Sequence, residues 1–342
     1  MRAVVIREHG DLDVLKLEDV PAPVAGLGEV VLDVRAVGLN HLDTWVRRGV
    51  PGHSFDLPMI PGCDFSGQVA SVGAGVAHVK PGDAVCVNPG YACGECGECL
   101  AGRDNLCRFY GVYGEMCDGG CAEQAKVRAR SVVPVPAGLD FVEAAAFPLT
   151  FLTAWHMLVT RCALRPSDVV LVHAAGSGVG SAAVQIAKFH GARVIATAGS
   201  DEKLARAREL GADDTVNYES GDWPREVRSL TGKRGVDIVF EHVGASTWDG
   251  SVLCLATGGR LVTCGATTGA DVSIDLRRLF FKRISLLGST MGTAADFRTV
   301  VDLVSKGRLR PVVDRVLPLE AVAEGHAALG RREQFGKIVL TP

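Results

Sequence analysis

One segment, VVLVHAAGSGVGSAAVQIAKFHGARVIATAGS at residues 169–200, restricts the fold more than any other. It reads as an apolar strand, a glycine-containing turn, a helix and a second apolar strand. The apolar positions of its middle part recur at helical spacing, at Val179, Ala183, Ile186 and Ala187. Gly191 follows where a helix would end. The segment therefore predicts a βαβ unit with parallel strands.

The glycine turn of this unit indicates a nucleotide site. Backbone N–H groups at the start of the helix would face a pyrophosphate, and Gly178 and Gly180 would let it approach the backbone closely. The alternative is an ordinary βα turn in another kind of α/β protein.

The rhythm of the chain changes near residue 150. Before residue 135, short apolar runs alternate with Gly and Pro, which is typical of an irregular β domain. From about residue 150 onward, six strand-like runs are separated by helix-length segments, which predicts a parallel, doubly wound sheet. The fold class is therefore α/β. We expect a β-rich domain at residues 1–150 and 291–342, with a lobe at about residues 90–110, and a cofactor domain at residues 151–290.

Composition and charge exclude several classes of protein. The chain is 47% apolar and 22% charged with a net charge of −3, so it offers no basic surface for nucleic acid. No export signal and no apolar run of membrane-spanning length is found, which predicts a cytoplasmic protein without membrane contact. Its 11 cysteines are expected to be reduced.

Four cysteines in CGECGECLAGRDNLC have the spacing of a metal site: Cys93, Cys96, Cys99 and Cys107. Four thiolates complete the tetrahedral coordination of Zn²⁺ and leave no position for water or substrate. We therefore expect one structural zinc per chain. An iron–sulfur cluster is the alternative, although ferredoxin spacings differ.

The end of the second strand bears on the choice of nucleotide. Ala198 stands where an acidic residue would bind the ribose 2′-hydroxyl of NAD(H). Ser200 and Lys203 could meet a 2′-phosphate, and Tyr218 closes the next strand, so NADP(H) is favoured and NAD(H) stays open. Against this, Lys203 could be a solvated helix residue and Asp201 could disfavour a phosphate.

The whole chain resembles the medium-chain dehydrogenase/reductase superfamily, which includes zinc alcohol dehydrogenases and quinone oxidoreductases. The matching motifs are AVGLNHLDTW, IPGCDFSGQVASVG, VKPGDAV, the four-cysteine lobe, DGGCAEQ, EAAAFPLTFLTAW and AAGSGVG. The glycine turn, with Ala175 and Ser177 at positions that are Gly in alcohol dehydrogenases, is similar to the quinone oxidoreductase branch.

This resemblance implies a GroES-like catalytic domain, a Rossmann-type cofactor domain, and homodimers or homotetramers that pair through RISLLGST. The cofactor-binding residues that we predict are His41, Thr153, Gly176, Ser177, Gly178, Val179, Gly180, Ser200, Lys203, Tyr218, Val243 and Gly265.

The resemblance also implies where a catalytic zinc would bind, and the expected ligands are missing. Zinc alcohol dehydrogenases use Cys, His and Cys, whereas this chain has Asn40, Cys63 and Leu149. Leu42 replaces the hydroxyl residue that relays the alcohol proton in those enzymes. A metal held by Cys63, Asp64 and His41 stays an alternative, and Cys63 is either a redox or nucleophilic thiol or a small buried residue.

Without a Lewis acid, reduction of an activated double bond is the favoured chemistry. We expect NAD(P)H-dependent hydride transfer to enoyl thioesters, enones or quinones. The candidate catalytic residues are Asn40 as amide donor or orienting group, Tyr110 or Tyr113 as proton donor, and Cys63. Arg47 and Arg48 either attract acyl-CoA phosphates or are solvated. The alternatives are a zinc alcohol dehydrogenase and a non-catalytic NADP(H)-binding protein.

Overall fold

The structure is a computed structural model that describes residues 1–219 and 221–342. The chain forms two compact units. The first contains Met1–Leu149 and Thr293–Pro342, and the second contains Thr150–Gly292. Among the described residues, no helix combines the length and the apolar character needed to cross a lipid bilayer.

Short strands dominate the first part of the chain. They are β1 (Arg2–Val5), β2 (Lys16–Asp19), β3 (Glu29–Gly38), β4 (Asp64–Val72), β5 (Ala84–Val87), β6 (Gly90–Tyr91), β7 (Gly111–Val112), β8 (Gln124–Arg128) and β9 (Val132–Pro134). The helices of this part are short: α1 (His41–Arg48), α2 (Gly97–Leu100) and α3 (Phe141–Ala145).

Strands and helices alternate in the middle of the chain. Helix α4 (Pro148–Trp155) continues into a π-helical segment, His156–Arg161. The strands that follow are β10 (Val169–Val172), β11 (Arg193–Ala198), β12 (Asp214–Asn217), β13 (Val236–Glu241), β14 (Leu255–Thr263) and β15 (Ser285–Gly288). The helices between them are α5 (Gly178–Phe189), α6 (Asp201–Glu209), α7 (Trp223–Leu230), α8 (Ala245–Cys254) and α9 (Leu276–Phe281).

The end of the chain returns to the first unit. It contains α10 (Ala294–Ser305), β16 (Val313–Pro318), α11 (Val322–Arg331) and β17 (Lys337–Thr341). In the main sheet of this unit, the strand order is β16-β17-β3-β4-β5-β9, and β8 also pairs with β3. The last strand of the chain therefore lies beside β3, and the residues that join β3 to α1 lie next to the C-terminal strand.

The second unit is built on one parallel sheet with the order β12-β11-β10-β13-β14-β15. The order reverses between β10 and β13, and the crevice at the carboxyl ends of two such strands is where open α/β sheets bind ligands. Buried aliphatic side chains from these strands, such as Leu171, Ile195 and Val239, form the core of the unit. The predicted fold class, a β-rich domain with a doubly wound parallel sheet, is confirmed.

Candidate active site

The residue that the resemblance places at a zinc-ligand position, Asn40, directly precedes α1. Its backbone N–H donates to Oδ2 of Asp43 over 2.7 Å, so the first turn of the helix is closed by its own aspartate. The other oxygen of Asp43 accepts from the N–H of Gly62 over 3.1 Å. The start of α1 and the turn before β4 are thus joined through one buried carboxyl group.

A buried lysine reaches this site from the last strand. The ammonium of Lys337 donates to Oδ1 of Asn40 over 2.6 Å and to Oδ2 of Asp64 over 2.8 Å. Lys337 is 3% exposed and Asp64 is fully buried. An ion pair so far from water is stable only when further hydrogen bonds complete it, and Asn40 provides one of them.

These buried residues, Lys337, Asn40, Asp43, Cys63 and Asp64, form the Lys337 cluster. The amide group of Asn40 is also hydrogen-bonded within it. Its Nδ2 lies 3.1 Å from the Gly38 carbonyl oxygen, 3.0 Å from Asp64 Oδ2 and 3.3 Å from Cys63 Sγ. Two amide hydrogens therefore already have three acceptors, and the amide oxygen accepts from Lys337. In this geometry Asn40 orients its neighbours, and no amide hydrogen is left over for a substrate carbonyl.

Burial controls the two remaining titratable groups of the cluster. Desolvation raises the pKa of Asp43 to about 6, although the hydrogen bond from the Asn40 backbone and the Lys337 charge act in the opposite direction. Desolvation also raises the pKa of the fully buried Cys63 thiol, and the Asp64 charge adds to this effect. Cys63 therefore keeps its proton at neutral pH, which favours a packing role over a nucleophilic one.

The three positions do not fit a catalytic metal ion. The only oxygen that Asn40 offers already accepts from the ammonium of Lys337, and the Leu149 side chain has no donor atom. A divalent cation placed here would be repelled by that buried positive charge. Within residues 1–219 and 221–342, the cluster of potential metal ligands that the structure brings together is the four-cysteine group, not His41 with Cys63 and Asp64.

The two candidate proton donors differ in their surroundings. The phenol of Tyr113 donates to Ser131 Oγ over 3.1 Å and accepts from the Arg128 N–H, so both of its hydrogen bonds are made within the core. The phenol oxygen of Tyr110 is buried and has no hydrogen-bond partner in the described part of the chain. Burial raises the pKa of Tyr110, so its phenol keeps its proton at neutral pH.

The four cysteines of the lobe fit a zinc ion. Their Sγ atoms all lie within 4.8 Å of one another. The distance is 3.8 Å for Cys93–Cys99 and 3.5 Å for both Cys96–Cys99 and Cys93–Cys107. A tetrahedron with Zn–S bonds of about 2.3 Å has edges of about 3.8 Å, so the thiols are preorganised for Zn²⁺. The backbone N–H groups of Gly94 and Phe109 donate to the sulfur atoms of Cys99 and Cys107 over 3.3 Å each.

Most of the predicted cofactor residues lie at the carboxyl edge of the parallel sheet. Gly176–Gly180 follow β10, Ser200 and Lys203 follow β11, Tyr218 follows β12, Val243 follows β13 and Gly265 follows β14. Gly265 lies against the loop of Val243, because a Cβ at Gly265 would be 2.8 Å from the His242 carbonyl oxygen. The second unit thus gathers residues from five strands around the switch point, whereas His41 belongs to the first unit and Thr153 to α4.

This edge fits a dinucleotide. Helix α5 begins with Ser177 as its N-cap, whose hydroxyl accepts from the Gly180 N–H over 2.9 Å. A Cβ at Gly180 would lie 2.4 Å from the Ala174 carbonyl oxygen, so only glycine allows the helix to start this close to β10. The buried hydroxyl of Thr153 has no hydrogen-bond partner in the described residues. A buried polar group normally has one, and a bound polar ligand would provide it.

The residues that would discriminate a 2′-phosphate are partly engaged. Ser200 caps α6 by accepting from the Lys203 N–H over 3.3 Å. Asp201, the first acidic residue after β11, accepts from the side chain of Asn217 over 3.1 Å. Gly199 packs against Tyr218, whose hydroxyl would be 3.0 Å from a Cβ at that glycine.

Beneath this edge lies a polar cluster that sequence reasoning missed. The fully buried carboxylate of Glu241 accepts from the Val243 and Gly244 N–H groups over 2.6 and 3.1 Å, and from the hydroxyls of Thr247 and Ser251. Ser251 lies in turn 2.9 Å from Nε2 of His173. Burial lowers the pKa of His173 to about 4, so it is neutral at pH 7. A charged residue that ends an apolar strand, as in VDIVFE, was the available signal.

Two family models match this chain. One, for the alcohol dehydrogenase GroES-like domain, matches residues 26–137, and the other, for zinc-binding dehydrogenases, matches residues 178–306. The quinone oxidoreductase of Rattus norvegicus is 30% identical, and the alignment covers 99% of this chain and 97% of the relative. The chain belongs to the medium-chain dehydrogenase/reductase superfamily.

Other members of the superfamily are similar over the full length. A 2-haloacrylate reductase of Burkholderia sp is 31% identical, with 99% of this chain and 98% of the relative covered. A crystal structure of an NAD-dependent alcohol dehydrogenase is 50% identical, with a TM-score of 0.96 and complete coverage of both chains. The crotonyl-CoA carboxylase/reductase AntE V350A, solved with NADP, is 26% identical with a TM-score of 0.92, and the match covers 100% of this chain and 94% of that one.

Membership of the superfamily identifies the chain as an oxidoreductase. The four-cysteine cage and the dinucleotide edge agree with the cofactors of a zinc-binding dehydrogenase, a nicotinamide nucleotide and zinc. The expectation of an enzyme is thereby confirmed.

Proposed function

We propose that this oxidoreductase reduces the activated carbon–carbon double bond of α,β-unsaturated carbonyl compounds. Enoyl thioesters, enones and quinones are the substrate classes, in that order of preference. NADPH is the preferred hydride donor.

The observation that carries this proposal is the contact of the Lys337 ammonium with Asn40, the residue that the resemblance places at a zinc-ligand position. The ammonium lies 2.6 Å from Asn40 Oδ1 and 2.8 Å from Asp64 Oδ2. Oxidation of a simple alcohol in this superfamily relies on a Lewis acid that stabilises an alkoxide. Reduction of a polarised alkene has no such requirement, because the charge that develops is delocalised over an enolate.

Reduced nicotinamide, when bound, supplies a hydride to the β-carbon of the substrate. The electron pair of the double bond then moves toward the carbonyl, and the α-carbon of the enolate takes a proton. We assign that proton to the phenol of Tyr110, whose oxygen is buried and unpartnered within the described residues. Water returns a proton to the tyrosinate and completes the cycle.

The residues of the Lys337 cluster hold one another in place and take no part in the bonds that are formed or broken. Lys337 fixes the amide plane of Asn40, and Asn40 fixes the Cys63 thiol through a contact of 3.3 Å. We propose Asn40 as a positioning residue of the reductase site. The Cys63 thiol then contributes shape, since burial keeps it protonated by raising its pKa.

Relatives support a reductase and leave the nucleotide open. A 2-haloacrylate reductase and an NADP-bound crotonyl-CoA carboxylase/reductase are among the similar proteins. The preference for NADPH rests on the absence of an acidic residue at Ala198 and Gly199, directly after β11. Asp201 is held by Asn217, which turns this carboxylate away from a free role in ribose binding.

A zinc-dependent alcohol dehydrogenase is the second candidate. The 50% identical structure of an NAD-dependent alcohol dehydrogenase favours it. Elemental analysis and substrate oxidation distinguish the two functions, because an alcohol dehydrogenase of the zinc type carries a second zinc ion per chain.

The test is a substrate panel on the purified, zinc-replete protein. We expect oxidation of NADPH, and less of NADH, with a crotonyl thioester, an enone and a quinone, together with one zinc per chain. Rapid oxidation of primary alcohols with two zinc ions per chain would establish the second candidate instead. If the protein binds the cofactor but converts none of these compounds, it is a non-catalytic nucleotide-binding protein.

We further propose that the enzyme is a homodimer paired through β15. This strand ends the order of the parallel sheet, with β14 as its one neighbour among the described residues. Helix α9, which precedes it, exposes Leu276, Phe280 and Phe281 to 64%, 58% and 74%. Two copies related by a two-fold axis would pair their edges and cover these side chains. Light scattering should give a dimer for the native chain and a monomer for Phe281→Glu, and a monomeric native chain would refute this assembly.

A further inference from the structure

Two buried side chains of the first unit carry polar atoms that nothing in the described chain satisfies. Arg47, near the end of α1, is 1% exposed, and its Nε and Nη1 have no hydrogen-bond partner. His326, on α11, is also 1% exposed, and neither of its ring nitrogens has a partner. Buried polar groups are nearly always hydrogen-bonded, so two such residues in one unit need an explanation.

The charge of Arg47 is also uncompensated inside the protein. The nearest carboxylate that the structure pairs with it is Asp11, whose Oδ1 is 3.9 Å from Nη2. The Asp11 side chain is 85% exposed, so water screens most of its attraction. A guanidinium with so little counter-charge is costly to bury.

The two residues lie beside the same segment of the chain, because the Gly10 N–H donates to the Arg47 carbonyl oxygen over 3.0 Å and α11 packs against Leu12–Val14. A Cβ at Gly325, the residue before His326, would be 2.5 Å from Cδ1 of Leu39. Burial lowers the pKa of His326 to about 3, and the charges of Arg47 and Arg48 contribute to this shift. The imidazole is therefore neutral, and it carries one N–H that has no acceptor in the described residues.

We propose that Arg47 and His326 bind one small inorganic anion of the halide class. An anion would accept hydrogen bonds from the guanidinium and from the imidazole N–H, and it would neutralise the buried charge. A water molecule would satisfy hydrogen bonds but leave that charge unpaired. The enclosure of both side chains excludes organic phosphates and other bulky anions.

Such an anion would join the first and the last α-helices of the first unit. Helix α1 begins at the residue after Asn40, and α11 precedes the strand that carries Lys337. The bound anion would therefore hold together the helix that follows Asn40 and the helix that precedes the strand of Lys337. This role is independent of the substrate and the nucleotide.

The first experiment is crystallography of the full, zinc-replete chain grown in sodium bromide. We expect an anomalous bromine peak within about 3.5 Å of the Arg47 guanidinium. A water molecule there, without anomalous signal, would overturn the proposal.

The second experiment is thermal unfolding in sodium chloride or bromide against sodium gluconate at equal ionic strength. The native chain should gain on the order of 3 °C at a halide concentration about ten times the dissociation constant. Arg47→Met and His326→Leu should lose the halide-specific gain. Arg225→Met, which changes a side chain that is 86% exposed, should keep it. Equal effects of gluconate and halide on the native chain would refute the site, even if the Arg47 variant does not fold.

Discussion

The ammonium of Lys337 and the carboxylate of Asp64 form a 2.8 Å ion pair, although the two side chains are only 3% and 0% exposed. Other lysine–aspartate pairs of the chain lie at the surface, such as Lys306–Asp302 at 64% and 56% exposure. The buried pair also holds Asn40 by its oxygen and the Leu149 N–H by the second oxygen of Asp64. Four chain segments thus converge on one carboxylate, one amide and one ammonium.

Replacing Lys337 by methionine should lower the free energy of unfolding by about 3–5 kcal/mol, because it leaves the Asp64 carboxylate buried without a counter-charge. Urea denaturation of the zinc-replete protein measures this loss. Lys306→Met, which removes an exposed pair, should cost no more than about 1 kcal/mol. The double change K337M/D64N should recover part of the loss, and equal costs for Lys337→Met and Lys306→Met would contradict this account.

Asp43 should make the protein less stable as the pH rises through its folded pKa. Burial raises this pKa from 3.8 to about 6, so the folded state binds the proton more tightly than the unfolded state does. The favourable contribution is complete below pH 3.8 and is lost as the pH rises to about 6. The stability of the native chain relative to Asp43→Asn should fall by up to about 3 kcal/mol over this range. A difference that does not vary with pH would refute the shift.

Cysteine replacement in the lobe should remove the zinc ion. Cys99→Ser removes one of four Sγ atoms that lie within 4.8 Å of one another, and we expect the zinc content to fall from one ion per chain to nearly none. Mass spectrometry of metals and limited proteolysis near residues 93–107 measure the two effects. Cys117→Ser, which alters a half-buried thiol outside the cage, should retain the metal.

The two tyrosine candidates should separate in kinetics. Tyr110→Phe removes the proposed proton donor, and kcat should fall by about 10²-fold with an altered solvent isotope effect. Tyr113→Phe should leave kcat nearly unchanged and cost about 1 kcal/mol of stability, because the phenol's bonds to Ser131 and Arg128 are structural. Unchanged isotope effects in both variants would exclude both residues as donors.

Glu241 should govern binding of the nicotinamide nucleotide without touching it. Glu241→Gln weakens the hold on the Val243 and Gly244 N–H groups, so we expect about tenfold weaker binding of NADPH by calorimetry. Binding of 2′,5′-ADP should change much less, because Ser200 and Lys203 follow a different strand. Asp237→Asn, near the amino end of the same strand, is the matched control and should leave both affinities unchanged. Parallel loss of both ligands would indicate general damage to the unit.

The sequence predicted the second unit well because parallel strands buried on both faces read as continuous apolar runs, as in Val169–Val172 and Arg193–Ala198. The four-cysteine cage was equally readable, since its ligands lie within one short segment. The Lys337 cluster was not, because 297 residues separate Lys337 from Asn40 and no periodicity relates them. The available signal in the sequence was the lysine of the otherwise apolar strand KIVLT. Such a lysine indicates a buried charge but does not indicate which residue pairs with it.

The position of β17 between β16 and β3 also sets an order of events during synthesis on the ribosome. Residues Thr150–Gly292, which form a unit of their own, are complete before the strand that carries Lys337 has been translated. Residues 1–149 must therefore wait, with Asp64 still lacking its cation, until Lys337 has been translated. A nascent chain released before this strand is made would contain a folded second unit and a first unit whose main sheet lacks β17. Quality-control proteases would then encounter the first unit in an incompletely folded state.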